Sequence, residues 1–178
     1  FCALAISTVT MTHEDAAPLA VLGGVLRNGY LHTAIREQGG AYGAGATQDS
    51  GLACFKFYSY RDPRVEETFR EFRNSIDWVL ERKDGDELVE QAILGIIGGM
   101  DRPGSPAGEA KQAYHMDKTG RTYALRQEYR QRLLATRWAD VQRVAKQYLQ
   151  GQDGSMAVVA PRGTDAMAAK LGLIATDY

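Results

Sequence analysis

The apolar residues of this chain recur first at the spacing of a strand and then at the spacing of a helix. The first ten residues are mostly apolar and end in β-branched side chains, which predicts a buried strand over Phe1–Thr10. We expect a helix to begin at a capping box formed by Thr12 and Asp15 and to run to about Ile35. Its apolar positions lie three or four residues apart, at Leu19, Leu22, Leu26 and Tyr30.

A glycine-rich stretch separates that helix from two predicted strands. The strands are Ala41–Thr47 and Leu52–Tyr60, joined by a turn at residues 48–51. The two alternating sets of side chains in the second strand are neither purely apolar nor purely polar. We therefore expect one covered face and one face that lines a wet cavity. Asp62 is predicted to cap the next helix, with Pro63 as its first residue.

Helical spacing dominates the second half of the chain. One helix is strongly amphipathic, and its apolar side is formed by Val65, Phe69, Phe72, Ile76, Val79 and Leu80. Further helices are expected to begin at Asp86, Ser105-Pro106 and Thr136. Glycines are expected to interrupt or end the helices at Gly98-Gly99, Gly120 and Gly151. A strand over Ser155–Ala160 and a short helix over Thr164–Leu171 follow. The order β-α-β-β-α-α-α-α-α-β-α predicts an α+β fold, a largely antiparallel sheet with helices packed on one face. A length of 178 residues fits a single domain, 1–178.

The charge balance and hydropathy exclude several classes of partner. There are 21 Lys and Arg against 22 Asp and Glu, a net charge of −1, which argues against nucleic acid as a partner. No apolar run reaches the roughly 20 residues that span a bilayer, so no membrane partner is expected. Cys2 and Cys54 are interpreted as small apolar side chains, with a single bridge between them as the alternative. This cysteine usage favours a reducing compartment, either the cytoplasm or an organellar matrix.

No metal site is predicted within the chain. The three histidines, His13, His32 and His115, have neither the H-E-x-x-H nor the H-x-x-E-H spacing. A Ser-His-Asp triad stays open, because its members need not be neighbours, but there is no G-x-S-x-G segment. The glycines of residues 39–45 follow a helix and open a strand, which is the reverse of a phosphate-binding loop.

The segment from Arg36 to Tyr42 holds the most distinctive group of residues. An arginine ends a helix, Gly39 and Gly40 allow a sharp turn, and a tyrosine opens a strand. A guanidinium and a phenol brought together in this way would suit a carbonyl or an oxyanion. The structural alternative is that Arg36 is a cation at a helix C-terminus and Tyr42 a half-buried strand aromatic.

This stretch resembles the pitrilysin-type zinc metallopeptidases, the inverzincins, and within them the presequence protease branch. The segments that carry the resemblance are IREQGGAYGAG at residues 35–45 and SYRDP at residues 59–63. Residues 92–106 and 130–149 also fit the pattern of that branch. The resemblance therefore covers nearly the whole chain.

The resemblance implies the following expectations. The parent would be a clamshell peptidase whose first domain binds Zn²⁺ through H-x-x-E-H, while this chain would be the non-metal-binding C-terminal domain, truncated before Phe1. Arg36, Tyr42, Gly39 and Gly40 would form its substrate contacts, and Tyr42 would also be catalytic. Peptides and the N-terminal zinc-binding half of the same protein would be its partners, and this chain alone would be inactive.

Two other functions stay open at this point. The same fold could serve as a non-catalytic scaffold or assembly domain, in a protein that has lost its zinc site. An RNA-binding module is the third hypothesis, based on the arginines between Arg121 and Arg143. A solvated helix face explains those arginines better, because acidic residues interrupt the series and no aromatic stacking motif accompanies it.

Overall fold

A four-stranded antiparallel sheet forms one layer of the domain. The computed structural model describes residues 1–176, except for the side chain of Asp165. The strands are β1 (Cys2–Ser7), β2 (Gly43–Asp49), β3 (Cys54–Tyr60) and β4 (Ser155–Val158). Their order across the sheet is β2-β3-β1-β4, and every neighbouring pair is antiparallel.

Helices form the second layer and cover only one face of this sheet. They are α1 (Ala16–Leu26), α2 (Glu66–Glu81), α3 (Asp86–Met100), α4 (Pro106–Lys118), α5 (Tyr123–Ala135), α6 (Trp138–Tyr148) and α7 (Asp165–Lys170). A π-helical segment, Arg27–Glu37, continues directly from α1. The predicted α+β fold and the predicted order of elements are confirmed. No helix within residues 1–176 is long and apolar enough to cross a membrane.

The core lies between the inner face of the sheet and the helices. Phe57 of β3 stacks on Phe72 of α2 with ring centroids 5.4 Å apart, and Phe69 meets Phe72 edge-on at 5.8 Å. Phe69, Phe72, Ile76 and Val79 are all buried, so the predicted apolar face of α2 is confirmed. The helix forms here because residues three and four apart share one side, and that side is apolar.

The outer face of the sheet is uncovered and consists largely of small residues. In register order, Gly45 of β2 and Ala3 of β1 flank Tyr58 of β3, while Gly43 lies opposite Tyr60. A Cβ atom on Gly45 would come within 2.7 Å of the Tyr58 hydroxyl oxygen, so the tyrosine ring lies over that glycine. The predicted alternation in β3 is confirmed, and within this chain its second face is open to solvent.

Several predicted helix boundaries are wrong, and Asp15 and Asp62 show why. The predicted capping box of Thr12 and Asp15 does not form, because α1 begins only at Ala16 and the Thr12 hydroxyl lies 3.1 Å from that of Thr10. The carboxylate of Asp15 is buried and accepts hydrogen bonds from Arg143 Nη2 at 2.6 Å and Tyr148 Oη at 2.8 Å. Asp62 lies four residues before α2 and accepts from the Arg64 backbone N–H at 3.0 Å. Both carboxylates were identified correctly as hydrogen-bond acceptors, but they bind groups other than the predicted helix N-termini.

The remaining boundary corrections are smaller. Thr136 does not cap α6, because its hydroxyl donates to the Arg132 carbonyl at 2.9 Å and the capping position is Arg137. Asp86 is the first residue of α3 rather than its cap, and α3 continues through Gly98-Gly99 to Met100. Both cysteines are free thiols, Cys2 buried and Cys54 half-buried, so the alternative of a bridge is wrong.

Candidate functional site

A tight turn joins the π-helical segment to β2. Gly40 has a φ angle of 81°, in the left-handed region that glycine adopts without strain. Its N–H donates to the Arg36 carbonyl at 3.0 Å, and the Ala41 N–H donates to the Ile35 carbonyl at 3.1 Å. The chain thereby reverses direction and enters β2 three residues after Gly40.

The π-helical segment carries Arg36 and is fixed against α2. Its Tyr30 hydroxyl donates to Glu71 Oε2 at 2.7 Å, and the Tyr30 ring lies 5.7 Å from the ring of Trp78. Burial raises the pKa of Tyr30, and the hydrogen bond to Glu71 raises it further, to about 12. Hydrogen bonding from residue i to i+5 is rare in proteins and recurs at functional sites. The segment that carries Arg36 is therefore both unusual and well anchored.

Arg36 lies exposed in the last turn of that segment. Its Nη1 is 3.4 Å from His32 Nε2, and His32 Nδ1 is in turn 3.4 Å from Glu37 Oε1. Within residues 1–176, the Arg36 guanidinium pairs with no carboxylate at ion-pair distance. The cation is therefore available to a ligand.

Tyr42 is also exposed, at 60%, but its ring is held on two sides. The ring centroid lies 5.3 Å from that of Tyr60 and 5.7 Å from the guanidinium carbon of Arg61. The Tyr42 backbone N–H donates to the Arg61 carbonyl at 3.3 Å. Arg61 itself has a φ of 49°, an uncommon left-handed conformation for a residue with a side chain. The phenol makes no hydrogen bond within the described residues, so it is oriented yet free to donate.

The structure brings the two motif segments of the sequence together. Tyr60 and Arg61, from the SYRDP segment, contact Tyr42, and Tyr60 also covers Gly43. Arg36 and Tyr42 project from the two ends of one turn and make no hydrogen bond with each other in the described residues. That they act at one point stays a prediction.

Sequence reasoning missed two residues of this site, Arg61 and Arg64. Arg64 Nη2 donates to the carbonyl oxygen of Ala34 at 3.0 Å, and its guanidinium lies directly over Gly39. The signal that could have found them is the SYRDP segment, which contains Arg61 and is followed directly by Arg64. Arg64 contacts Ala34, 30 residues earlier in the chain, and Arg61 contacts Tyr42. A local sequence pattern does not indicate such distant contacts.

The described part of the chain holds no cluster of metal-ligating side chains. Among residues 1–176, no group of three or more His, Cys, Asp or Glu side chains could hold a metal ion. His13, His32 and His115 lie respectively before α1, in the π-helical segment and in α4. The described residues therefore offer polar contacts at the turn rather than a metal centre.

Comparison with solved structures supports the fold. An inactive peptidase domain from Pseudomonas fluorescens matches 90% of this chain and 41% of its own, with a TM-score of 0.67 and 14% identity. Pitrilysin matches 91% of this chain and 20% of its own, with a TM-score of 0.62 and 16% identity. The α+β fold is thus that of pitrilysin-type peptidase domains.

Sequence comparison supports the family. The mitochondrial presequence protease of Yarrowia lipolytica is 38% identical over 162 residues, which cover 90% of this chain and 16% of that protein. The enzyme of the same name from Saccharomyces cerevisiae is 38% identical over 158 residues, 88% of this chain and 16% of that protein. The chain thus spans only a small part of the curated relatives that it matches. Since the family model of the PreP C-terminal domain also matches residues 12–160, this chain belongs to that family.

Proposed function

We propose that this chain is the non-metal-binding C-terminal domain of a zinc peptidase that degrades peptides in a closed chamber. The observation that carries the proposal is the Gly39-Gly40 turn, beside which lie an oriented phenol, that of Tyr42, and a guanidinium, that of Arg36, which pairs with no carboxylate among the described residues. Family membership supports a peptidase as the parent protein. The N-terminal half of the same protein is the proposed partner, and peptides are the proposed substrates.

Arg36 and Tyr42 have distinct roles in this proposal. Zinc, held by a part of the parent outside this chain, would supply the activated water for attack on the peptide bond. Negative charge then develops on the former carbonyl oxygen, and the Tyr42 hydroxyl donates a hydrogen bond to it. Arg36 binds a neighbouring backbone carbonyl through its fork of N–H groups and holds the peptide in register.

The outer face of the sheet extends this site. Ala3 and Ala5 keep the surface of β1 low, so an extended peptide can lie close to this strand. Tyr58 and Tyr60, 37% and 38% exposed, border that path with apolar rings and polar hydroxyls. This arrangement favours contacts with the backbone of a peptide over contacts with a particular side chain.

An organellar matrix is the proposed location. The relatives that match at 38% identity are described as mitochondrial presequence proteases. The two thiols are free, as a reducing compartment allows.

The proposal is tested by steady-state kinetics of Tyr42→Phe in the full-length parent, with a short fluorogenic peptide. Removal of one donor to a developing oxyanion should lower kcat by about 10²–10³ with little change in KM. Tyr114→Phe is the matched control, because Tyr114 is also 60% exposed but lies on α4, away from the turn. Wild-type kinetics for Tyr42→Phe would remove Tyr42 from the reaction, and a parent protein without peptidase activity would favour the scaffold hypothesis.

A further inference from the structure

The end of the π-helical segment leaves carbonyl groups that need donors. Three of them accept backbone N–H groups of the turn: Thr33 from Gln38 at 2.9 Å, Ile35 from Ala41 at 3.1 Å and Arg36 from Gly40 at 3.0 Å. Within residues 1–176, no backbone N–H of the turn donates to the carbonyl of Glu37, the exposed last residue of the segment, or to that of Ala34. The carbonyl of Ala34 accepts instead from Arg64 Nη2 at 3.0 Å, a side chain from the connection between β3 and α2. Arg64 thus supplies the fourth of the hydrogen bonds that end the segment.

Two groups leave no room for a side chain at Gly39. A Cβ atom there would overlap the Ile35 carbonyl oxygen and the Arg64 guanidinium, although Gly39 does not have a left-handed φ. The two adjacent glycines therefore serve different purposes. Gly40 provides the backbone conformation of the turn, and Gly39 provides the space that the Ile35 carbonyl and Arg64 occupy.

Arg64 is itself held in place. Its backbone N–H donates to Asp62 Oδ1 at 3.0 Å, and the other oxygen of that carboxylate accepts from the Thr68 hydroxyl at 2.7 Å. Its Nε is buried and has no partner in the described part of the chain, so the bond to Ala34 is the one that orients the guanidinium. The short connection before α2 thus contacts the turn twice, through Arg64 here and through the Arg61 carbonyl at Tyr42.

We propose that Arg64 is a positioning residue, which fixes the Gly39-Gly40 turn and so sets the directions of Arg36 and Tyr42. The kinetic part of this inference rests on the function proposed above, whereas the structural part does not. Arg64 does not contact the substrate in this scheme. It acts through the backbone that carries the two residues that do.

The test is Arg64→Met in the intact parent protein, because methionine keeps an unbranched stem and removes every donor. Amide hydrogen exchange in residues 38–42 should become about tenfold faster, since the turn loses one of its hydrogen bonds. Lower kcat and higher KM should accompany this change. Arg64→Met should add little to the loss of an Arg36→Ala/Tyr42→Phe double variant, because Arg64 acts only through those two side chains. Arg70→Met is the matched control, because Arg70 is exposed on the neighbouring helix and makes no side-chain hydrogen bond in the described residues.

The outcomes separate this inference from the proposed function. Unchanged exchange in residues 38–42 would overturn the positioning role, whatever the kinetics. If Tyr42→Phe is impaired, faster exchange in Arg64→Met together with wild-type kinetics would also overturn the positioning role. If both Arg64→Met and Tyr42→Phe have wild-type kinetics, the result would count against the proposed function. A general loss of fold in Arg64→Met would appear as faster exchange throughout α1 and α2. In that case the same exchange and kinetic measurements are made on Arg64→Lys, which keeps the charge and one donor group.

Discussion

Replacement of Gly40 by alanine isolates the conformation of the turn from its packing. The φ angle of Gly40 is 81°, a region in which residues with a side chain are strained. The nearest neighbour of an added Cβ atom would be Pro63 Cγ at 3.5 Å, an ordinary van der Waals contact. The substitution therefore changes the backbone preference without creating a clash.

The cost of this substitution follows from two alternatives. If the turn keeps its conformation, a left-handed alanine costs about 1–2 kcal/mol. If the turn leaves that conformation, it loses the bonds donated by the Gly40 and Ala41 N–H groups, at about 0.5–1.5 kcal/mol each. The two lost bonds sum to about 1–3 kcal/mol, so the free energy of unfolding should fall by about 1–2 kcal/mol, the cost of the cheaper route. The value of kcat/KM should fall as well, because the strained turn populates other conformations in which Arg36 and Tyr42 lose their relative placement.

Gly151→Ala provides the matched control for this experiment. Gly151 also has a left-handed φ, 67°, and an added Cβ atom would meet nothing within 4 Å. It follows α6, away from the turn, so the same strain should lower stability equally without changing kinetics. Denaturant unfolding of both variants and steady-state kinetics of the full-length parent give the comparison. Equal loss of stability with unchanged kcat/KM in Gly40→Ala would refute the idea that the turn sets the site.

Two further predictions concern the fold that supports the turn. Phe72→Ala should lower the free energy of unfolding by about 3–5 kcal/mol, because Phe72 is fully buried against Phe57 and Phe69. The control Phe1→Ala, at a 55% exposed position, should cost far less. Similar values for the two variants in urea unfolding would contradict the packing described for Phe72. Burial acts to raise the pKa of Asp15, but the hydrogen bonds from Arg143 and Tyr148 outweigh that effect and hold the pKa below its usual value. The ionised Asp15 carboxylate therefore stabilises the fold above about pH 4, and this stabilisation is lost as the pH falls through the folded-state pKa. Unfolding of wild type and Asp15→Asn from about pH 6 to about pH 2 should therefore show a difference that shrinks towards acid, and a constant difference would contradict it.

The sequence predicted the elements that depend on periodicity. The face of α2 from Phe69 to Val79 was recognisable because helical spacing and amphipathicity agree over the whole element. The order of strands and helices followed from similar patterns, and it was sufficient for the fold class. The location of the turn was also predictable, since Gly39 and Gly40 interrupt the helix immediately before a strand.

What the sequence did not predict depends on contacts between distant residues. Asp15 is a residue type that often bonds to helix N-termini, yet its carboxylate binds the guanidinium of Arg143, which lies 128 residues further along the chain. The π-helical geometry also escaped prediction, because Leu26 and Tyr30 have a spacing that fits an α-helix equally well. Arg64 carries no local signal of its role, which arises only when the connection before α2 packs over Gly39.

The uncovered outer face of the sheet has a consequence for selectivity in the proposed enzyme. Alanine at the exposed Ala3 and the half-buried Ala5 offers no shape that would complement one substrate side chain over another. A peptide on such a surface would be held mainly through its main chain, which is the same in every sequence. In the proposed enzyme, this domain would therefore accept many peptides of unrelated sequence.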